Sequence, residues 1–458
     1  VQFNIVNIIL ATFIFGQGDD YSIFITEGMT YEYAYGRPRL KSYKNSVILS
    51  ALLMFVGIGT LIIAKHPALR SLAEVTMIGM ITVVLMTLYL PPLIFNWLIK
   101  YKGEFREIPI TIKRLLYSIW SLLFFLFFSV LFFEPYALVQ KFLLMRSRKC
   151  RKVFHKVLQA TAKFVIYRVP GVRFQYLNPG CETFVNPAVI ICNHQSHLDV
   201  MCLLMMSPKI VILTNDWVWH NPFYGAIIRA AEFYPISDGV DKNLLRLKDL
   251  VSRGYSVVIF PEGTRETGQN IMHFHKGAFY LAKLLNVDIL PIMIHGLIDV
   301  LPKKDFMLRE GTITVEVHQR MKANEVAKYE DNRLRSYWFK WYVEHYHRMR
   351  RELEDVEYFI PYVRYKYALK GADIERRCNK TLKSISKNSD CVKKYITLDK
   401  KIIIPNCGQG EIAWIAALTY PEYEIEAYEA DFDLYSIAVN TTCKPSNLHF
   451  INQNYINK

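Results

Sequence analysis

The sequence predicts a multi-domain protein. An α-helical transmembrane segment comes first, then an α/β domain entered through a membrane hairpin, then the first half of another α/β domain. Three observations predict this. Long apolar stretches fill the first quarter of the chain. A run of short apolar strands alternating with helical patterns follows them. Near the carboxy end a strand leads into a glycine-containing turn and a helix. The 458 residues carry a net charge of +15 and are 52% hydrophobic. Such basicity next to long apolar runs fits cytoplasmic loops and anionic lipid headgroups better than nucleic acid, so no nucleic-acid partner is expected. The eight cysteines form no Cys-x-x-Cys pair, which argues for reduced thiols and no metal site. The chain begins with Val1 and ends at Lys458, and reads as a fragment of a longer protein.

The first domain is expected over residues 1–115. Phe3–Phe24, Ser46–Ala64 and Leu72–Trp97 are long enough to span a bilayer. Arg37, Arg39, Lys41 and Lys44 follow the first, and Lys100, Lys102, Arg106, Lys113 and Arg114 follow the third. Positive-inside weighting puts both groups in the cytoplasm. Asp19 and Asp20 interrupt the first segment; an ionisable residue at depth costs about 3 kcal/mol and marks function by default. Alternatively the helix ends near Gly16-Gln17-Gly18 and both face water. Gly18-Asp19-Asp20-Tyr21-Ser22 and His66-Pro67-Ala68-Leu69-Arg70-Ser71-Leu72 resemble stretches of the resistance-nodulation-division (RND) exporters. That resemblance implies a proton-relay role for Asp20, in a piece holding only the last three helices of such a transporter.

Residues 116–152 are expected to form the hairpin. Leu116–Phe133 is apolar, Glu134-Pro135 breaks the run, and Tyr136–Met145 resumes it. Basic residues flank both ends, so a re-entrant hairpin bent at Pro135 keeps both clusters inside. A full span is the alternative.

The α/β domain is expected over 153–327. Strands are read at Val172–Leu177, Ala188–Cys192, Lys209–Leu213, Phe233–Ile236, Ser256–Phe260, Ile289–Ile294 and Thr312–Val317, and helices at Leu198–Met206, Lys242–Arg253 and Lys276–Leu285. Its chemistry sits after the second strand, in Asn193-His194-Gln195-Ser196-His197-Leu198-Asp199. A histidine can take a proton from a hydroxyl near neutral pH, and a carboxylate can fix its tautomer and stabilise the imidazolium. No nucleophile in a Gly-x-Ser-x-Gly turn stands nearby, so a substrate hydroxyl is expected to attack directly. After the fifth strand comes Pro261-Glu262-Gly263-Thr264-Arg265. Gly263 would let backbone approach a ligand, and the Arg265 guanidinium suits phosphate.

Together with Ile289-Leu290-Pro291-Ile292-Met293-Ile294-His295-Gly296, these blocks resemble the glycerolipid acyltransferase family, whose type member is 1-acyl-glycerol-3-phosphate acyltransferase. The resemblance implies catalysis by His194 and Asp199, and acceptor binding by Glu262, Gly263, Thr264, Arg265 and Lys276. It implies an acyl thioester of acyl carrier protein or coenzyme A as donor, a lysolipid acceptor and membrane lipids as partners. It also implies a bacterial inner-membrane location with this domain on the cytoplasmic side. One departure stands out: the family's second block usually ends in a basic residue, whereas Glu232-Phe233-Tyr234-Pro235-Ile236-Ser237-Asp238 has none.

Residues 328–395 are expected to be a basic, aromatic, helical linker that docks on neighbouring domains or headgroups. Base stacking would use the same residue types. The last domain is expected over 396–458. A strand at Lys400–Ile404 enters Pro405-Asn406-Cys407-Gly408-Gln409-Gly410-Glu411, and a second at Tyr423–Tyr428 ends in Glu429. Gly408 and Gly410 would admit a nucleotide and Glu429 would take its ribose hydroxyls, a Rossmann-like arrangement. The pattern resembles class I S-adenosylmethionine methyltransferases and implies that cofactor. A dinucleotide is the alternative.

Overall fold

The computed structural model describes residues 5–128, 135, 148–222, 225–235, 239–265, 270–303, 305, 307–388, 390, 392–396 and 400–455. The chain divides into two compact units, Val1–Thr111 with Asp355–Lys458, and Ile112–Glu354.

The first unit opens with three helices, α1 (Ile5–Tyr35), α2 (Leu40–Gly59) and α3 (Pro67–Ile99). Tyr21, Ile25, Met29 and Tyr33 recur every fourth residue of α1 and form a buried stripe with Val47, Ala51, Met80 and Phe95. Two helices among the described residues are long and apolar enough to cross a membrane, Leu40–Ile63 and Pro67–Ile99. The expected span at Phe3–Phe24 is not among them. Its helix instead continues through Gly16-Gln17-Gly18 to Tyr35, so Asp19 and Asp20 lie within it, both exposed.

The second unit begins with α4 (Ile112–Phe128) and α5 (Arg148–Arg168). The hairpin bend expected around Glu134-Pro135, and the apolar continuation after it, lie outside the described residues apart from Pro135 itself. The rest of the unit follows as β1 (Val172–Leu177), β2 (Ala188–Cys192), α6 (Asp199–Leu204), β3 (Ile210–Thr214), β4 (Tyr234–Pro235), α7 (Gly239–Ser252), β5 (Ser256–Ile259), α8 (Gly277–Leu285), β6 (Asp288–His295), β7 (Gly311–Val317) and α9 (Asp331–Leu353). The strands form one seven-stranded sheet in the order β1-β7-β6-β2-β5-β3-β4. It is parallel except where β7 meets β6. Every residue of β2 is buried, as a strand covered on both faces requires.

The expected linker at 328–395 is not one element. Its first half is α9, whose Leu334, Trp338, Tyr342, Tyr346 and Met349 are buried in the core of the second unit. Its second half, α10 (Val356–Lys366) and α11 (Ala372–Lys387), belongs to the first unit. There β8 (Lys401–Ile404), α12 (Glu411–Thr419), β9 (Glu424–Glu429), α13 (Phe432–Val439) and β10 (Leu448–Asn452) complete the chain. The three strands are parallel in the order β8-β9-β10.

This carboxy-terminal piece was expected as a separate domain, yet it shares a unit with the amino-terminal helices. Arg37 pairs with Asp433 at 2.8 Å, and the Asn440 amide donates to Tyr33 O at 2.6 Å. Lys370 is buried and donates to Asn440 O at 2.9 Å. Burial pulls its ammonium down to about 7.

Candidate active site

Strand register builds the site. Ile191 of β2 is the parallel partner of Ile259 of β5. Three residues beyond each stand His194 and Glu262 at the carboxyl ends of the strands, where open α/β sheets place ligands. The His194 N–H donates to Glu262 Oε1 at 2.8 Å, and Met272 N–H donates to Oε2 at 2.9 Å. Glu262 is therefore a buried brace between two loops. Its two carboxylate oxygens accept these backbone amides because the register brings the side chain beside the His194 peptide.

His194 Nδ1 lies 2.8 Å from Asp199 Oδ2. The carboxylate is fully buried, and the same oxygen accepts from Gln195 N at 2.6 Å and Ser196 N at 2.9 Å. The imidazole stacks on Phe260 with ring centroids 4.1 Å apart. It is thus held on its face and at Nδ1, which leaves Nε2 as its base atom. Asn193 locks the loop to β6 by giving Nδ2 to Ile294 O and accepting Ile294 N, both at 2.8 Å. Ser196 Oγ donates to Leu301 O at 2.8 Å. A histidine oriented by a buried carboxylate at a strand end can deprotonate a hydroxyl.

Residues 178–295, which contain this dyad, match the family model described as Acyltransferase. They are an acyltransferase domain. The chain is 29% identical over 185 residues to the chloroplastic 1-acyl-sn-glycerol-3-phosphate acyltransferase BAT2 of Brassica napus, covering 39% of this chain and 53% of that protein. It is 30% identical over 153 residues to 1-acyl-sn-glycerol-3-phosphate acyltransferase beta of Homo sapiens, covering 32% of this chain and 55% of that one. The chain therefore spans about half the length of these curated relatives. Among solved structures, the 1-acyl-sn-glycerophosphate (LPA) acyltransferase PlsC of Thermotoga maritima is 22% identical with a TM-score of 0.43, over 51% of this chain and 95% of that one.

The second loop of the acyltransferase domain turns at Gly263, whose φ is +71°. A Cβ there would stand 3.2 Å from the His275 ring, so the turn wants glycine on both counts. Thr264 is exposed and Arg265 half-buried. Lys303 Nζ donates to Arg265 O at 2.8 Å. His197 sits near both Arg265 and His194; burial first, then those two neighbours, press its imidazole down to about 4. His197 is therefore a neutral imidazole at physiological pH. Lys276 is exposed just before α8.

In the stretch that lacks the family's basic residue, Glu232 is buried with Arg151 at 2.7 Å and Arg253 at 2.8 Å, and His155 Nε2 stands 3.6 Å away. Burial alone would raise this carboxyl; the neighbouring His155 and two guanidinium groups outweigh it and hold it at about 2. Asp238 lies outside the described residues.

The remaining predicted residues lie in the other unit. Gly408 and Gly410 have φ of +63° and +95°. Gly408 N donates to Glu429 Oε2 at 2.7 Å, and Ala430 N and Asp431 N donate to Oε1 at 3.0 Å each. Asp20 lies exposed on α1. No group of three or more potential metal ligands occurs among the described residues. Asn193, Gln195 and Ser196 stand in the motif without a role of their own at the sequence level, and the α9 tyrosines read only as part of a docking helix. The recurrence of Leu334, Trp338, Tyr342 and Tyr346 every fourth residue was the signal that α9 packs on a core.

Proposed function

We propose that this chain moves an acyl group from the thioester of acyl carrier protein or coenzyme A to the hydroxyl of a lysophospholipid-like acceptor. The observation that carries the reading is the His194–Asp199 pair, 2.8 Å apart at a strand end of the acyltransferase domain. The acceptor hydroxyl attacks the thioester carbonyl as His194 Nε2 takes its proton. The new C–O bond forms and the C–S bond breaks. The same proton then passes from His194 to the leaving thiolate, which departs as thiol. Asp199 holds the imidazole in the Nδ1–H tautomer and stabilises its charged form. Arg265 and the exposed Gly263–Thr264 backbone hold the acceptor's anionic group, with Lys276 contributing charge. The setting proposed is a bacterial inner membrane, with this domain on the cytoplasmic side. The two apolar helices, Leu40–Ile63 and Pro67–Ile99, support membrane attachment by length and composition.

The test is thiol release by the full chain from acyl-coenzyme A or acyl-carrier protein, with lysophosphatidate as acceptor and a phosphate-free lysolipid beside it. Release that depends on acceptor and is lost in His194→Ala supports the reading. No acceptor-dependent release with either donor would overturn it.

A further inference from the structure

Helix α9 lies wholly outside residues 178–295 that match the acyltransferase family, yet it reaches the catalytic loop. Tyr342, Tyr346 and Arg350 stand four residues apart and share one helix face. The Tyr342 hydroxyl donates towards Ile191 O of β2 and Ile292 O of β6, at 2.7 and 3.0 Å. Arg350 binds Glu354 at 2.7 Å, and Glu354 binds His295 Nε2 at 2.9 Å, at the last residue of β6. Between them, the Tyr346 hydroxyl accepts from Gln195 Nε2 at 2.5 Å. Gln195 and Tyr346 are both buried.

Asp199 Oδ1 has no hydrogen-bond partner among the described residues, so the carboxylate is oriented through Oδ2. Besides His194, that oxygen is held by two backbone amides, of Gln195 and Ser196. Each amide belongs to a residue whose own side chain is anchored. Ser196 is tied to Leu301 O, and Gln195 is tied to Tyr346. The Oε1 of Gln195 has no partner among the described residues, so its anchorage rests on the amide nitrogen.

We propose that Tyr346 is a positioning residue for the His194–Asp199 pair, acting through Gln195. Helix α9 thereby becomes part of the catalytic apparatus. The kinetic consequence rests on the acyl-transfer reading above; the geometric one does not. A small loss of register between base and acceptor hydroxyl is expensive in rate, because proximity catalysis depends on sub-ångström placement.

The experiment compares Tyr346→Phe, Gln195→Met and Tyr342→Phe in the full chain. Tyr346→Phe is expected to lower kcat about tenfold while leaving both KM values within about twofold, as for a group that acts on placement rather than binding. The Nδ1–H proton resonance of His194, assigned by its loss in His194→Ala, should exchange with water roughly tenfold faster as the loop loosens. Gln195→Met should match Tyr346→Phe, and the double variant should be no worse than either. Tyr342→Phe removes a buried hydroxyl from the same helix, and should lower the melting temperature without moving that resonance. Wild-type kcat and exchange in Tyr346→Phe would overturn the proposal, as would an equal response in Tyr342→Phe. If the wild type transfers no acyl group but the resonance still responds to Tyr346→Phe, the functional reading falls and the positioning role stands.

Discussion

Two loops in this molecule leave a parallel strand and gather backbone amides around one carboxylate, and they differ in one partner. After β2, Asp199 accepts from Gln195 N, Ser196 N and the His194 imidazole. At the end of β9, Glu429 accepts from Gly408 N, Ala430 N and Asp431 N. Amides do not titrate near neutral pH, so the three amide partners in the second arrangement shape the loop but cannot themselves move a proton. The imidazole in the first can. A carboxylate cradled by amides is thus a scaffold in both places, and what it orients decides whether the loop does chemistry or binding.

The largest effect should come from deleting that difference. His194→Ala is expected to lower acyl transfer about 10²–10⁴-fold, the usual contribution of a general base. The fold should survive, because Asp199 keeps both amides. Asp199→Asn should also be severe, through the wrong tautomer and a poorer imidazolium. The two checks are thiol release and a melting curve for each variant. Full activity in His194→Ala would reduce the β2 loop to a scaffold like the β9 loop.

A third carboxylate sharpens the comparison, since Glu232 is held by cations instead of amides. Removing one partner of a buried ion pair costs about 3–5 kcal/mol, so Glu232→Gln should be strongly destabilising at neutral pH. Its sign with pH is set by the depressed carboxyl, about 2 in the folded protein. Such a group stabilises above its unfolded value and loses that contribution as pH falls through the folded one. The gap from an ordinary glutamate value corresponds to roughly 3 kcal/mol. Denaturant unfolding of wild type and Glu232→Gln should differ widely at pH 7 and converge as pH falls from about 4.5 towards 2. A difference that is the same at pH 7 and pH 3 would show that packing, and not charge, fixes Glu232.

How far the sequence revealed these regions depended on how local the cause was. Ala188–Cys192 and Val172–Leu177 were read to the residue, since apolar runs bounded by polar turns are visible in one dimension. His194 and Asp199 were legible because only five positions separate them, from the loop after β2 to the first residue of α6. Glu262 was visible as a motif residue, but its contact with the His194 amide was not. Only the register of β2 against β5 puts its carboxylate at the His194 amide. The cage around Glu232 draws on Arg151, 81 positions away, and Tyr342 reaches Ile191 across 151. The composition of α9 reads as a linker because its basic face dominates, while its buried stripe speaks only through spacing.

Acceptor binding should respond less than catalysis. On the proposed reading Arg265 contacts the acceptor's anionic group, so Arg265→Ala would remove a charge-assisted hydrogen bond worth about 1.5–3 kcal/mol. If the contact is equal in ground and transition states, it should appear as a roughly 10–100-fold rise in acceptor KM with kcat almost unchanged. The rise should be confined to phosphate-bearing acceptors. The second block carries Glu232 and no Arg, so a phosphate-free lysolipid should be used at least as well as lysophosphatidate by this variant. An unchanged KM for lysophosphatidate would remove Arg265 from the acceptor site and leave the His194 chemistry untouched.

The smallest effect is expected at the other loop. If the loop after β9 takes S-adenosylmethionine, Glu429 must release or share its amides to meet the ribose hydroxyls. Losing it should then weaken binding only about tenfold, one charge-assisted hydrogen bond's worth. Gly410 gives a harsher control. Its φ of +95° is unfavourable for any side chain, and a Cβ would stand 2.8 Å from the Phe450 ring. Gly410→Ala should therefore abolish binding by distorting the turn, whereas Glu429→Ala should weaken it with the turn intact. Calorimetric titration of the full chain with S-adenosylmethionine and with NAD separates the readings. Preference for NAD would replace the methyltransferase-type cofactor with a dinucleotide. Binding of neither would make Glu429 a pure scaffold, and the contrast with Asp199 would then be complete: the same cradle, one holding a base and the other holding only its own loop.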